Sequence, residues 1–198
     1  MKRVFSLIFL SAFLIFSSSL YAADEKEIVI ADFNKGEAVN NLGQPVEVWL
    51  KDNGSDPSQK TVMSFAKDDA AGNPQGQSVE LDYDVDSENP AYNGIRMNLN
   101  NFDSRPYKSL NFYVKGDAKK GFGKKFKIEL IPTQTKRPSP YVFEGVTDQW
   151  QKVSIPLSEF WAIGDGSSLE KFTVVFADIV NDPKSGTVYL DQISFSKD

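Results

Sequence analysis

The 198-residue chain has no cysteine and no histidine. Without cysteine there is no disulfide framework, no lipid-modified N-terminal cysteine and no thiol nucleophile. Without histidine there is no imidazole base, no Ser-His-Asp triad and no zinc site of the usual ligands. A glycine-rich phosphate loop between a strand and a helix is also missing. Among the common catalytic arrangements, only a pair of carboxylates, as in glycosidases, remains open.

Basic residues are fewer than acidic ones: the chain has 22 Lys and Arg and 27 Asp and Glu, so its formal net charge is −5. The N-terminal segment considered next holds two basic and no acidic residues, so its removal would make the chain more acidic. A nucleic acid or an anionic membrane surface is bound through a basic patch. We therefore expect neither of them as a partner.

Long apolar runs are limited to residues 4–16, directly after Lys2 and Arg3. A small-polar stretch then leads to Ala22 and Ala23. This order is that of a secretory signal peptide, and the run is shorter than the ~18 residues of a spanning helix. We predict a signal peptide over residues 1–22, with cleavage after Ala22 or Ala23 both open, and export of the mature chain to the periplasm or out of the cell. No membrane span is expected in that mature chain.

The mature part consists of short runs that alternate between apolar and polar residues and are broken by Gly, Pro, Asn and Asp. Leu110, Phe112 and Val114, for example, share one phase of such a run. Alternation is typical of half-buried strands, and no window shows a helical apolar stripe. Strands are predicted near residues 28–33, 46–50, 61–66, 79–85, 95–99, 110–115, 126–130, 141–146, 151–155, 172–177 and 187–195. We therefore predict one all-β domain over residues 23–198, an antiparallel sandwich or jelly roll with few or no helices.

Two of these runs do not alternate cleanly. Residues 28–33 are apolar on both phases, which predicts a central strand covered on both faces. In the last run the apolar phase changes between Leu190 and Ile193, which predicts a β-bulge.

Four segments together resemble one family. They are IADFN at residues 30–34, LNFYVKGD at 110–117, WQKVSIPLSEF at 150–160 and GTVYLDQI at 186–193. Their order is similar to that of the family 11 carbohydrate-binding modules and the related complex I intermediate-associated family. The resemblance covers most of the mature chain and implies a galactose-binding-like jelly-roll β-sandwich. It also implies a packing role for Trp150, directly before a strand.

A sugar site combines exposed aromatic rings, which stack on C–H faces, with polar side chains that pair with hydroxyl groups. The resemblance assigns Tyr92 to the ligand and places Trp161 and Asp165 in a binding loop. That loop lacks the aromatic and basic residues of family 11, so a mixed-linkage β-glucan is not favoured. Strand phase and loop position supply the other candidates. The predicted ligand-binding residues are Tyr92, Arg96, Asn98, Trp161, Asp165, Trp49, Glu129 and Tyr141.

Related modules commonly hold a structural calcium ion between the first and last strands of the sandwich. The resemblance then implies Asp32 and Asp191 as ligands, with Asn34 as a weaker oxygen ligand. Carboxylate and amide oxygens suit this hard cation.

The sequence thus favours an exported, non-catalytic protein that binds a poly- or oligosaccharide. Two alternatives remain open: an assembly factor that holds a protein partner through the same sandwich face, and a glycan-active enzyme with two carboxylates. An aromatic cleft with a polar floor would favour sugar, whereas a flat apolar patch would favour protein.

Overall fold

A computed structural model describes residues 26–198 except 69, 71 and 73–75. The predicted signal peptide lies outside the described residues. Within the described part, no helix has the length and apolar character needed to cross a membrane.

The described residues form eleven β-strands and two short 3₁₀ turns, and none of them lies in an α-helix. The strands are β1 (Glu27–Ala31), β2 (Val46–Leu50), β3 (Lys60–Ala66), β4 (Ser78–Asp84), β5 (Tyr92–Phe102), β6 (Ser109–Gly116), β7 (Lys125–Pro132), β8 (Ser139–Glu144), β9 (Gln151–Pro156), β10 (Leu169–Ala177) and β11 (Ser185–Ser196). The turns span Lys51–Gly54 and Leu157–Glu159. The prediction of an all-β fold is confirmed.

The strands build two antiparallel sheets. One has the order β3-β4-β11-β6-β9, with β1 also paired to β11, and is called the β11 sheet. The other has the order β2-β5-β10-β7-β8 and is called the β10 sheet. Each sheet buries one face against the other and leaves one outer face to solvent, which is why the sequence alternates.

The core fills the space between the sheets. Phe112 of the β11 sheet and Phe126 and Phe176 of the β10 sheet are fully buried, with ring centroids 6.2 Å apart for both Phe112–Phe126 and Phe126–Phe176. Each such side chain contributes about 2 kcal/mol through burial of apolar surface. The core therefore holds the two sheets together without disulfides.

The two irregular runs have different outcomes. β11 shifts register between Asp191 and Ser194 in its pairing with β6, so the predicted bulge is confirmed. The first run is not a central strand, and that prediction is wrong, because β1 pairs with β11 alone among the described strands. A register shift between Val29 and Ala31 brings two consecutive residues, Ile30 and Ala31, into the core. Both phases are therefore apolar without a second neighbouring strand.

The ends of the described chain lie side by side on the β11 sheet. The backbone N–H of Lys197 donates to the carbonyl of Lys26 at 2.8 Å, and the Nζ of Lys26 lies 3.8 Å from a carboxylate oxygen of Asp198. Both ends of the described chain therefore lie close together, where β1 pairs with β11.

On the outer face of the β11 sheet, side chains are engaged with one another. The indole N–H of Trp150 donates to Asp68 at 3.0 Å, and Asp68 also forms an ion pair with Lys115. The Lys115 ammonium lies 5.2 Å from the centroid of the Trp150 ring and 4.8 Å from that of Tyr189. Trp150 thus packs within a network that attaches residue 68 to the sheet.

Candidate functional site

The outer face of the β10 sheet carries a groove with a volume of about 430 Å³. Its walls and floor come from four of the five strands and from the loop before β8. The lining residues are Trp49, Tyr92, Arg96, Lys127, Glu129, Ile131, Pro138, Lys171, Thr173 and Val175.

One wall of the groove is aromatic. Trp49 on β2 and Tyr92 at the start of β5 have ring centroids 5.8 Å apart, and Tyr92 is 41% exposed. Trp49 lies opposite Gly94, a residue without a side chain. Gly94 has φ +155°, and a Cβ there would lie 1.9 Å from the carbonyl oxygen of Val174. Glycine is therefore required at this point for β5 to approach β10.

The indole N–H of Trp49 is buried and has no hydrogen-bond partner among the described residues. A buried donor without an acceptor costs free energy. Trp49 as a residue lines the groove.

The floor of the groove is polar. Glu47, Arg96, Thr173 and Glu129 lie in one row across β2, β5, β10 and β7, because each is the register partner of the next. The Nε of Arg96 donates to Glu47 at 3.1 Å. The Nζ of Lys127 lies 3.7 Å from a carboxylate oxygen of Glu129. The row thus presents donors and acceptors at fixed strand spacing.

Glu129 is the least solvated carboxylate of the groove, with a side chain only 15% exposed. Burial raises its pKa above the usual value, and the positive charge of Lys127 offsets only part of this effect.

A second cavity of about 230 Å³ adjoins the groove and shares Arg96 and Lys171 with it. Asn98 lines this cavity together with Pro45 and Glu47. The two cavities therefore lie side by side on the outer face.

The structure brings four predicted residues into the groove, namely Trp49, Tyr92, Arg96 and Glu129, and places Asn98 in the adjoining cavity. Sequence reasoning missed Lys127, Lys171, Thr173, Val175, Ile131 and Pro138. The outward phase of the predicted strands could have indicated Lys127, Thr173 and Val175. These residues are brought together by the pairing of β7 with β10, and the sequence of one strand does not predict which strand pairs with it.

Tyr141 does not lie in the groove, which corrects its prediction as a cleft residue. It is the register partner of Ile128, a core residue, so its side chain points inward. Its ring packs near that of Phe160, with centroids 6.0 Å apart.

Trp161 and Asp165 also lie outside the groove, and their role as ligand-binding residues stays a prediction. They line a separate cavity of about 370 Å³ formed by the loops around Ser104 and Gly164. Trp161 is 62% exposed, with the guanidinium carbon of Arg137 4.7 Å from its ring centroid. Hydrogen bonds from Ser167 hold the pKa of Asp165 below its usual range.

Asp32 directly follows β1 and Asp191 lies on β11, and these two strands are neighbours, since Ala31 of β1 pairs with Ile193 of β11. Asp191 is fully buried and accepts hydrogen bonds from the backbone N–H groups of Ala70, at 2.9 Å, and Gln192, at 2.7 Å. Asp32 accepts from the backbone of Asn34 at 3.1 Å. No group of three or more acidic, His or Cys side chains able to hold a metal occurs among the described residues.

The side-chain carbonyl oxygen of Asn34 is buried without a hydrogen-bond partner in the described part of the chain. An oxygen of this kind beside Asp32 fits the donor set of a hard cation.

The model of the family called carbohydrate binding domain 30 matches residues 37–197. The chain belongs to this family. The match spans β2 to β11 and so includes every strand that lines the groove. No curated protein matches the chain at a significant level.

Solved structures of carbohydrate-binding modules share the fold. A family 11 module from Clostridium thermocellum, in complex with a β-1,3-1,4-mixed-linked tetrasaccharide, is 16% identical with a TM-score of 0.62, covering 86% of this chain and 95% of that one. A family 29 module is 11% identical with a TM-score of 0.52, covering 87% and 93%. An exo-β-agarase is 12% identical with a TM-score of 0.59, covering 86% of this chain and 25% of the agarase. The predicted resemblance to family 11 is thus confirmed at the level of fold.

Proposed function

We propose that the groove on the outer face of the β10 sheet binds a poly- or oligosaccharide without chemical change. The observation that supports this most strongly is the combination of an aromatic wall, Trp49 and Tyr92, with a polar floor on rigid strands. The wall would stack on the C–H face of a sugar ring, and the floor would pair with hydroxyl groups. Because both lie on paired strands, little ordering is needed on binding.

The spacing of the carboxylates supports a non-catalytic role. Among the groove and adjoining-cavity residues, Glu47 and Glu129 are the two acids. They are separated by three strand intervals in one row, which places their backbones about 14 Å apart. Glycosidases need two carboxyl groups directed at one bond and within about 10 Å of each other, whereas the carboxylate of Glu47 contacts Arg96 and that of Glu129 lies near Lys127. We therefore favour binding over glycan hydrolysis.

A protein partner is the second candidate function, and the shape of the surface does not favour it. The exposed large aliphatic residues are distributed over three strands, Val48 on β2, Val62 on β3 and Val142 on β8, and over two connecting segments, Val39 and Ile179. The concave aromatic groove suits a narrow chain ligand better than a flat protein surface.

We also propose export through the N-terminal leader and a structural calcium ion near Asp32 and Asp191. The buried, unpartnered oxygen of Asn34 supports the ion. Calcium that binds only the folded state would raise the melting temperature. We expect a calcium-dependent rise of several degrees in scanning calorimetry after chelation and re-addition, and its loss in Asp191→Asn. A melting temperature independent of calcium would remove this ion from the proposal.

Binding is tested by titrating the mature protein with neutral and acidic polysaccharides in affinity electrophoresis and calorimetry. Tyr92→Ala should weaken binding at least ten-fold, because it removes half of the aromatic wall. Tyr113→Ala is the matched control, since Tyr113 lies on the outer face of the β11 sheet. Equal loss in both variants, or no saturable binding to any polysaccharide, would contradict the proposed function.

A further inference from the structure

The side chain of Glu129 is only slightly exposed, and its contact with a cation is long. Its register partners are Thr173 on β10 and Pro140 on β8. Its side chain is 15% exposed, and the 3.7 Å distance to Lys127 is longer than a hydrogen bond. The contact with Lys127 is therefore a long ion pair, and it leaves acceptor capacity on the two carboxylate oxygens. Such a carboxylate carries a desolvation cost that donors from a ligand can remove.

The groups next to Glu129 are poorly placed to donate hydrogen bonds to its carboxylate. Pro140 has no N–H to donate, and the Nε of Arg96 is engaged with Glu47. Lys171 pairs with Glu170 at 3.3 Å. The charged groups around Glu129 are thus Lys127 on its own strand, Lys171 on β10 and, one strand further, Arg96 on β5.

We propose that Glu129 determines specificity in the groove by accepting hydrogen bonds from two neighbouring hydroxyl groups of one sugar unit. This inference rests on the proposed function. Lys127 donates to an oxygen of the same unit. The ligand class is a neutral polysaccharide whose backbone sugars keep adjacent free hydroxyls.

The same contact rejects substituted chains. An acyl ester or a branch at either hydroxyl removes a donor and leaves the largely buried carboxylate with one hydrogen bond fewer. Sites built around a buried polar group discriminate strongly against ligands that lack its partner.

The first test uses the unmodified protein. The pKa of the Glu129 carboxyl is followed by ¹³C NMR, free and saturated with the tightest-binding of a set of cello-, xylo-, manno- and galacto-oligosaccharides. Hydroxyl donors favour the charged form, so its pKa should fall on binding. By linkage, affinity should be full above the pKa of the free protein and decline as pH falls through it.

The second test uses variants. Glu129→Gln should bind at least ten-fold more weakly at neutral pH and lose the pH dependence. Glu144→Gln is the matched control, because Glu144 lies on the same outer face but is exposed and paired with Lys125. An O-acetylated form of the same oligosaccharide should bind the unmodified protein at least ten-fold more weakly than the free form does. In Glu129→Gln, the difference in affinity between the acetylated and the free form should be smaller.

Two results separate this inference from the proposed function. If oligosaccharide binds and Tyr92→Ala abolishes it, but the pKa of Glu129 does not move and Glu129→Gln matches Glu144→Gln, this inference is overturned and groove binding stands. If no oligosaccharide or polysaccharide binds, both are overturned.

Discussion

The two outer faces of the sandwich both carry a tryptophan and a tyrosine, but they differ in how the polar atoms are paired. On the β11 sheet, the indole N–H of Trp150 donates to Asp68 and the hydroxyl of Tyr189 donates to Asp117 at 2.8 Å. On the β10 sheet, the indole N–H of Trp49 has no partner among the described residues. Outward aromatic residues alone therefore do not indicate a site, whereas unpaired polar atoms around them do.

The same contrast holds for charge. On the β11 sheet, Glu80 and Asp82 share the ammonium of Lys120. On the β10 sheet, the side chain of Glu129 is only 15% exposed, and its ammonium partner, that of Lys127, is 3.7 Å away. One face is thus satisfied by its own side chains, and the other keeps capacity for a ligand.

The largest expected effect tests the backbone under the groove. Gly94→Ala should lower the free energy of unfolding by about 3 kcal/mol or more, because the added Cβ would meet the Val174 carbonyl oxygen at a positive φ. Chemical denaturation measures the change. Gly43→Ala is the control, since Gly43 also has positive φ but no atom within 4 Å of a Cβ. Equal destabilisation would show that φ, and not the close approach, matters.

The next effect compares the two tryptophans directly. Trp49→Ala should weaken saccharide binding about ten- to a hundred-fold, a loss of roughly 1–3 kcal/mol typical of an aromatic contact. Trp150→Ala should leave affinity unchanged and lower stability instead, because its contacts lie within the β11 sheet. Calorimetric titration measures the affinity of both variants, and chemical denaturation measures their stability. Loss of affinity in Trp150→Ala would contradict the assignment of saccharide binding to the β10 sheet.

A smaller effect concerns pH. Burial tends to raise the pKa of Asp68, but hydrogen bonds from Lys115 and Trp150 outweigh it and hold the pKa below its usual value. The stability that this provides is present above the unfolded pKa and is lost as pH falls through the folded one. Because Asp68 is 41% exposed, we expect less than about 1 kcal/mol. In Asp68→Asn, the melting temperature should therefore decrease less as the pH is lowered than it does in the unmodified protein. An equal decrease in both proteins would show that Asp68 does not contribute.

The smallest effect is expected at Trp161. Its cavity is separate from the groove, so Trp161→Ala should change the affinity for a short oligosaccharide by less than about two-fold. The same calorimetric titration measures it. A loss of affinity as large as that expected for Trp49→Ala would instead show that the ligand contacts both cavities.

Strand alternation was sufficient to predict most of the fold. The phase of residues 110–115 and 126–130 is that of β6 and β7, and the phase change before Ile193 is the bulge of β11. The prediction was wrong where pairing decides the outcome. β1 is apolar on both phases because of a register shift, not because it is central.

The candidate site was predictable only in part for the same reason. Tyr92, Arg96 and Glu129 lie on strands whose phase can be read from the sequence. Tyr141 follows a proline-rich loop, and its direction depends on pairing with Ile128. Trp161 lies in a loop, where no alternation fixes direction, so its separation from the groove required the structure.

The proximity of Lys26 and Asp198, the ends of the described chain, has a practical consequence for attaching the protein to a surface. Lys26 and Asp198 meet on the β11 sheet, on the side of the sandwich away from the groove. A tether, label or solid support attached at Asp198 would therefore hold the molecule with the open face of the β10 sheet outward. Immobilisation through this end gives every molecule the same orientation and leaves the full width of the groove accessible to a long polymer.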